Sequence, residues 1–119
     1  SDQNDIQLEK PIANMIFDDG TKVSLQGKNG TFKQEEQTLH LEGDVQFIHA
    51  DGYKLNTTEV DIDMKEQTAI SHVDVFGHGP AGDIEASGLK ANGKDAIFIF
   101  QGPAKVILTS EQQEKEELQ

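Results

Sequence analysis

The stretch Thr38–Thr58, TLHLEGDVQFIHADGYKLNTT, alternates with strict period two at its centre. Leu39, Leu41, Gly43, Val45 and Phe47 fall on one side, with His40, Glu42, Asp44 and Gln46 between them. Successive side chains of a strand point to opposite faces, so the pattern reads as a strand with one buried and one wet face. Gly43 holds an inward position without breaking the alternation. A glycine there signals a bulge, a sharp bend or a close backbone approach. The stretch therefore reads as one long strand bent at Gly43, or as two strands meeting at a corner. Asp51-Gly52 then turns the chain, and Tyr53, Leu55 and Thr57 begin the next alternating strand.

The device recurs. Phe98, Phe100, Gly102, Ala104, Val106 and Leu108 keep parity through a glycine, and Val23-Leu25-Gly27 and Val73-Val75-Gly77 are shorter copies. Val45, Val75 and Val106 are separated by roughly thirty residues, in the range where self-similarity marks stacked supersecondary units.

The rest of the chain reads as short strands and turns. Ile6–Leu8 and Ile12–Phe17 are strand candidates at an edge, since Pro11 between them donates no ladder hydrogen bond. Asp18-Asp19-Gly20 is a turn and Lys22–Gln26 a strand. Lys28-Asn29-Gly30 predicts a hairpin, followed by Thr31–Lys33 with Phe32 inward. Tyr53–Thr57 and Val60–Met64 read as two strands, and Ala69–His72 and Val73–Phe76 as a pair or a second bent strand. Gly77–Gly82, GHGPAG, reads as a loop, then Asp83–Ala86 and Leu89–Ala91 as strands around Ser87-Gly88. Asn92-Gly93 predicts another hairpin, and Asp95–Gln101 and Ala104–Thr109 finish the sheet. Ile97 and Ile99 make the penultimate strand apolar on both faces. That implies either cover by the N-terminal segment or a rim that receives a lipid or another chain. About a dozen short strands with regular turns and no amphipathic helix predict an all-β sandwich, barrel or jelly roll. Residues 1–109 form one domain, and 110–119 a polar tail.

Composition narrows the function. The hydrophobic fraction is 34%, low for a globular chain, so the core must be thin and slab-like. There are 22 acidic residues against 10 basic ones, all lysine, for a net charge of −12. Nucleic acid binding needs a positive patch, and bidentate phosphate recognition needs arginine; both are missing. No cysteine is present, so thiol catalysis and disulfides are excluded, and no apolar run approaches the roughly 18 residues that span a bilayer. His72, Asp74 and His78 are the residue types of a metal site but lack a fourth ligand. Glu59, Asp61 and Asp63 line one strand face without the turn of a calcium loop. The glycine run Gly77–Gly82 has no following lysine-serine or lysine-threonine, so it is no phosphate loop. Neither a catalytic residue nor a cofactor is expected.

Several short motifs together resemble one family. They are G-x-F at Gly30–Phe32, L-x-L-x-G-x-V at Leu39–Val45, D-G-Y-x-L-x-T at Asp51–Thr57, G-x-I-x-A-x-G-L at Gly82–Leu89 and F-x-G at Phe100–Gly102. This set is similar to the LptC family of periplasmic lipopolysaccharide-export proteins, over roughly Ile6–Thr109. The related LptA proteins share the alternating style. The resemblance implies an open, twisted β-jelly roll in the periplasm of a Gram-negative bacterium. It also implies an N-terminal helix anchoring the protein to the inner membrane; Ser1–Asp5 reads as a boundary, and whether an anchor was removed there or never present stays open. It implies a non-enzymatic protein that takes lipopolysaccharide from an inner-membrane ABC transporter and passes it to LptA, with partners adding at strand edges.

Strand parity selects the inward row on which lipid tails would lie: Phe32, Leu39, Leu41, Val45, Phe47, Leu55, Val60, Ile62, Ile84, Phe98, Phe100 and Val106. The C-terminal edge, Lys105, Val106, Ile107, Leu108 and Thr109, has one charged guard and is expected to receive LptA. The N-terminal part, blunted by Pro11 but with Lys22–Gln26 pairable, is expected to meet the transporter. Two other classes remain open: a β-repeat scaffold with a dry interior and no lipid handover, including an LptA-like bridge protein, and a cupin-like enzyme using His72, Asp74 and His78.

Overall fold

The computed structural model describes residues 5–108; Thr109 and the polar tail 110–119 lie outside the described residues. Twelve strands follow one another: β1 (Asp5–Glu9), β2 (Ile12–Ile16), β3 (Lys22–Gln26), β4 (Asn29–Lys33), β5 (Thr38–His49), β6 (Lys54–Asp63), β7 (Thr68–Ser71), β8 (Val75–Gly79), β9 (Gly82–Ala86), β10 (Gly88–Asn92), β11 (Ile97–Gln101) and β12 (Lys105–Leu108). Every pairing is antiparallel. They form one sheet folded into two layers. The first runs β1-β4-β5-β6-β7-β10-β11; the second runs β2-β3-β5-β6-β8-β9-β12. Only the long central strands β5 and β6 belong to both. This is an open antiparallel β-jelly roll, as expected.

The layers join where the chain crosses between them. In β5 the crossing is a bulge: Gly43 and Asp44 together face Thr58, between the pairs Glu42–Glu59 and Val45–Thr57. Gly43 has φ +83° and Asp44 +44°, so the strand bends through two left-handed residues. The neighbouring crossing Gly27-Lys28 packs on this corner, with Lys28 N–H donating to Gly43 O at 2.9 Å and Lys28 Nζ 3.0 Å from Asp44. Inward parity is kept through the β5 bulge. In β6, which has no extra residue, it switches from Leu55 and Thr57 to Val60 and Ile62. The buried Thr57 hydroxyl at this switch lies 3.0 Å from Ser71 Oγ and donates to Asp74 O, so the one polar pair in the core is satisfied.

Several local expectations are corrected. Asn29-Gly30 is no hairpin turn: β3 and β4 lie in different layers and pair separately with β5, because the chain changes layer at Gly27-Lys28. Tyr53–Thr57 and Val60–Met64 are one strand, β6. Gly77–Gly82 is a hairpin, β8 and β9 joined at Pro80-Ala81, and Gly77 and Gly79 are buried strand residues. β7 and β8 neither pair nor continue one another; His72–Asp74 carries the chain across the corner. Lys22–Gln26 is no edge, since β2 and β5 flank it; the N-terminal edges are β1 and β2. Asn92-Gly93 does open the β10–β11 hairpin, where Asn92 Oδ1 accepts the Lys94 and Asp95 N–H groups.

The corner has a measurable cost. A Cβ on Gly43 would meet Lys28 Cβ at 3.0 Å, whereas one on Gly20 (φ +89°) would meet nothing within 4 Å. Gly20→Ala should lower stability by about 1 kcal/mol from backbone strain alone. Gly43→Ala should lower it by about 2 kcal/mol or more, compared by urea denaturation of the two variants.

Candidate functional site

Among the described residues the two layers finish at the C-terminal end in β11 and β12, which pair only with β10 and β9 and not with each other. A cavity of about 340 Å³ opens in this seam, within the range of about 300–1,000 Å³ typical of ligand pockets. β11 contributes Phe98 and Phe100 from one layer; β9 and β12 contribute Ile84, Val106 and Leu108 from the other. Leu55 on β6 forms part of the floor. The rim is aromatic and polar. Tyr53 lies over Gly79, and its ring meets His49 edge-on at 6.3 Å. His49 Nδ1 accepts the Asp51 N–H at 3.1 Å.

Glycine makes the floor possible. A Cβ on Gly77 would sit 2.6 Å from both Ile84 Cγ2 and Leu55 Cδ2. Any larger residue would push those two side chains up into the cavity. Sequence reading missed Gly77, His49, Tyr53 and Ala81 as lining residues; the clue was the glycine at every second position of Gly77–Gly79, which marks close approach within strands.

The twelve inward-row residues divide by depth. Leu39, Leu41, Val45, Phe47, Val60 and Ile62 pack in the core, Leu41 and Val45 at 0% exposure and Leu39 and Ile62 also bordering a smaller cavity. Phe32 packs half-buried against that core. Leu55, Ile84, Phe98, Phe100 and Val106 come together at the cavity. A second cavity of about 150 Å³ lies toward the other end, lined by Met15 and Ile16 of β2 with Leu39, Ile62 and Met64. Behind the larger cavity's lining, Phe17 packs on Phe98 at 5.6 Å, and Phe47 meets Phe98 edge-on at 6.3 Å.

The edge residues have two aspects. On β12, Val106 and Leu108 face the cavity, while Lys105 and Ile107 face out. The β11 residues Ile97 and Ile99 are about half exposed, so the covered-strand alternative is corrected: among the described residues no N-terminal strand lies over them. The metal candidates separate. His72 and Asp74 sit exposed in the crossing after β7, while His78 pairs with Asp83 across β8–β9. Among the described residues no group of three metal-ligating side chains forms. Glu59 and Asp61 lie on the wet face, both against His40, and Asp63 caps its own turn.

Core and cavity positions should respond differently to truncation. Leu41→Ala is expected to cost about 2–5 kcal/mol in thermal or chemical unfolding. Ile84→Ala, at a surface that already borders empty space, should cost about 1 kcal/mol.

Comparison with known proteins agrees with this architecture. The sequence profile of the family described as "Lipopolysaccharide-assembly, LptC-related" matches residues 1–107. Among solved structures, the chain is similar to LptH from Pseudomonas aeruginosa, described as the LptA-homologous periplasmic component of the conserved lipopolysaccharide transport device. The TM-score is 0.60 at 9% identity, covering 88% of this chain and 94% of that one. No curated protein sequence matches. The profile match spans most of the chain, so the protein belongs to the LptC-related lipopolysaccharide-assembly family.

Proposed function

We propose that the protein is a non-enzymatic carrier that takes lipopolysaccharide from an inner-membrane ABC transporter and passes it to LptA in the periplasm. The observation that carries this is the apolar cavity, open at an unpaired seam, in a chain of the lipopolysaccharide-assembly family. Acyl chains would enter between β11 and β12 and lie on Leu55, Ile84, Phe98, Phe100 and Val106. Burial at about 25 cal/mol per Å² of apolar surface makes such contacts useful yet reversible. LptA would add to the free side of β12, Lys105–Leu108, through main-chain hydrogen bonds. The N-terminal edges β1 and β2 are the corresponding surface for the transporter.

A scaffold reading has one observation in its favour: Leu39, Leu41, Val45, Phe47, Leu55, Val60 and Ile62 are all at most 7% exposed, a dry interior. A lipopolysaccharide-binding assay separates the two, since a scaffold binds none.

Photo-crosslinkers at Ile84, Phe100 and Val106 should capture lipopolysaccharide, and those at Leu41 and Val45 should not; adducts confined to outward positions such as Gln46 would defeat the carrier reading. On an edge strand of an antiparallel pair, successive N–H groups alternate between partner and solvent. Of Val106→Pro and Ile107→Pro, therefore, one should remain folded and lose LptA binding while the other loosens β9–β12. LptA bound normally by both folded variants would move the docking edge elsewhere.

A further inference from the structure

Phe17 is buried at 3% exposure and lines neither cavity. Met15 and Ile16, just before it, line the smaller cavity, and its ring packs on Phe98, which lines the larger. The β10–β11 turn holds the ring from behind: Gly93 presents a position 3.4 Å from Phe17 Cδ1, and its carbonyl accepts the Asp18 N–H at 2.9 Å. Phe98 is held in turn by Phe47 and by His49, whose ring lies 6.0 Å away. The larger chamber thus has a braced aromatic wall at Phe98.

We propose that the Phe17–Phe98 pair is a stop that sets the length of alkyl chain the mouth cavity accepts. The proposal rests on the reading of the mouth as an acyl site and adds a specificity determinant to it. Each methylene that enters raises affinity about fourfold, until the chain end reaches Phe98. Further methylenes must stay in water or displace a ring held on three sides, so affinity levels off. Removing the Phe98 ring adds its own volume to the chamber of about 340 Å³ and lets a longer chain in, as far as Phe17.

The test is a series of n-alkyl maltosides of increasing chain length, each below its micelle concentration. Binding is read by calorimetry and by the fluorescence of Tyr53, the one tyrosine of a chain without tryptophan, which sits on the rim. The full chain should show affinity rising about fourfold per methylene and then a plateau. In Phe98→Ala the rise should continue to longer chains, with Phe98→Leu in between and serving alone if the alanine variant fails to fold. An identical plateau in the parent and in a folded Phe98 variant overturns the stop while leaving the acyl site standing. No maltoside bound at any length overturns the acyl site itself, and the stop with it.

Discussion

The left-handed pair Gly43-Asp44 is the constraint on which the rest depends. A strand that stayed flat would place all its neighbours in one sheet, and the apolar row of β5 would face water. By bending at the bulge, β5 gives its first half to one layer and its second half to the other, and both apolar halves face inward. The adjoining strands change layer beside it, at Lys10-Pro11, Gly27-Lys28, His72–Asp74, Ser87 and Gly102–Ala104. Backbone bonds tie the first of these together: Lys10 N–H to Lys28 O, Gly27 N–H to Pro11 O, and Lys28 N–H to Gly43 O. A bend that is rare for ordinary residues is thereby shared along a line of hydrogen bonds.

The thin core follows from this arrangement. Each strand supplies one inward row, and the outward rows are free to be polar, so 34% hydrophobic residues suffice. The outer surface of the second layer shows how that freedom is used. Gln26 donates to Gln46, and Gln46 to Asn56, an amide ladder across β3, β5 and β6. Acidic residues occupy comparable wet positions, where solvent screens them and net charge costs the fold little.

Period-two alternation made the all-β class, the inward row and the bend at Gly43 legible, because side-chain direction in a strand is a local property. Layer membership is not local. Asn29-Gly30 has the composition of a hairpin turn, yet the chain has already changed layer at Gly27, and Gly30 is a buried strand residue against Pro11 and Leu41. Gly77 and Gly79 look like loop residues because glycine is common in loops; here they are strand residues emptied of side chain so that Ile84, Leu55 and Tyr53 can pack. Parity gives a row its direction but no depth. Leu41 and Ile84 have the same parity signature, and only the three-dimensional position of the seam separates a core residue from a cavity wall.

The line of layer crossings works as the spine of a book, with the two layers as its boards. On the fore-edge, the Asp18–Gly93 hydrogen bond and the Phe17–Phe98 contact act as a clasp between a turn of one layer and a turn of the other. Because one apolar core fills the space between the boards, parting them along the fore-edge would expose it to water, so the molecule opens to solvent at the unpaired end formed by β11 and β12.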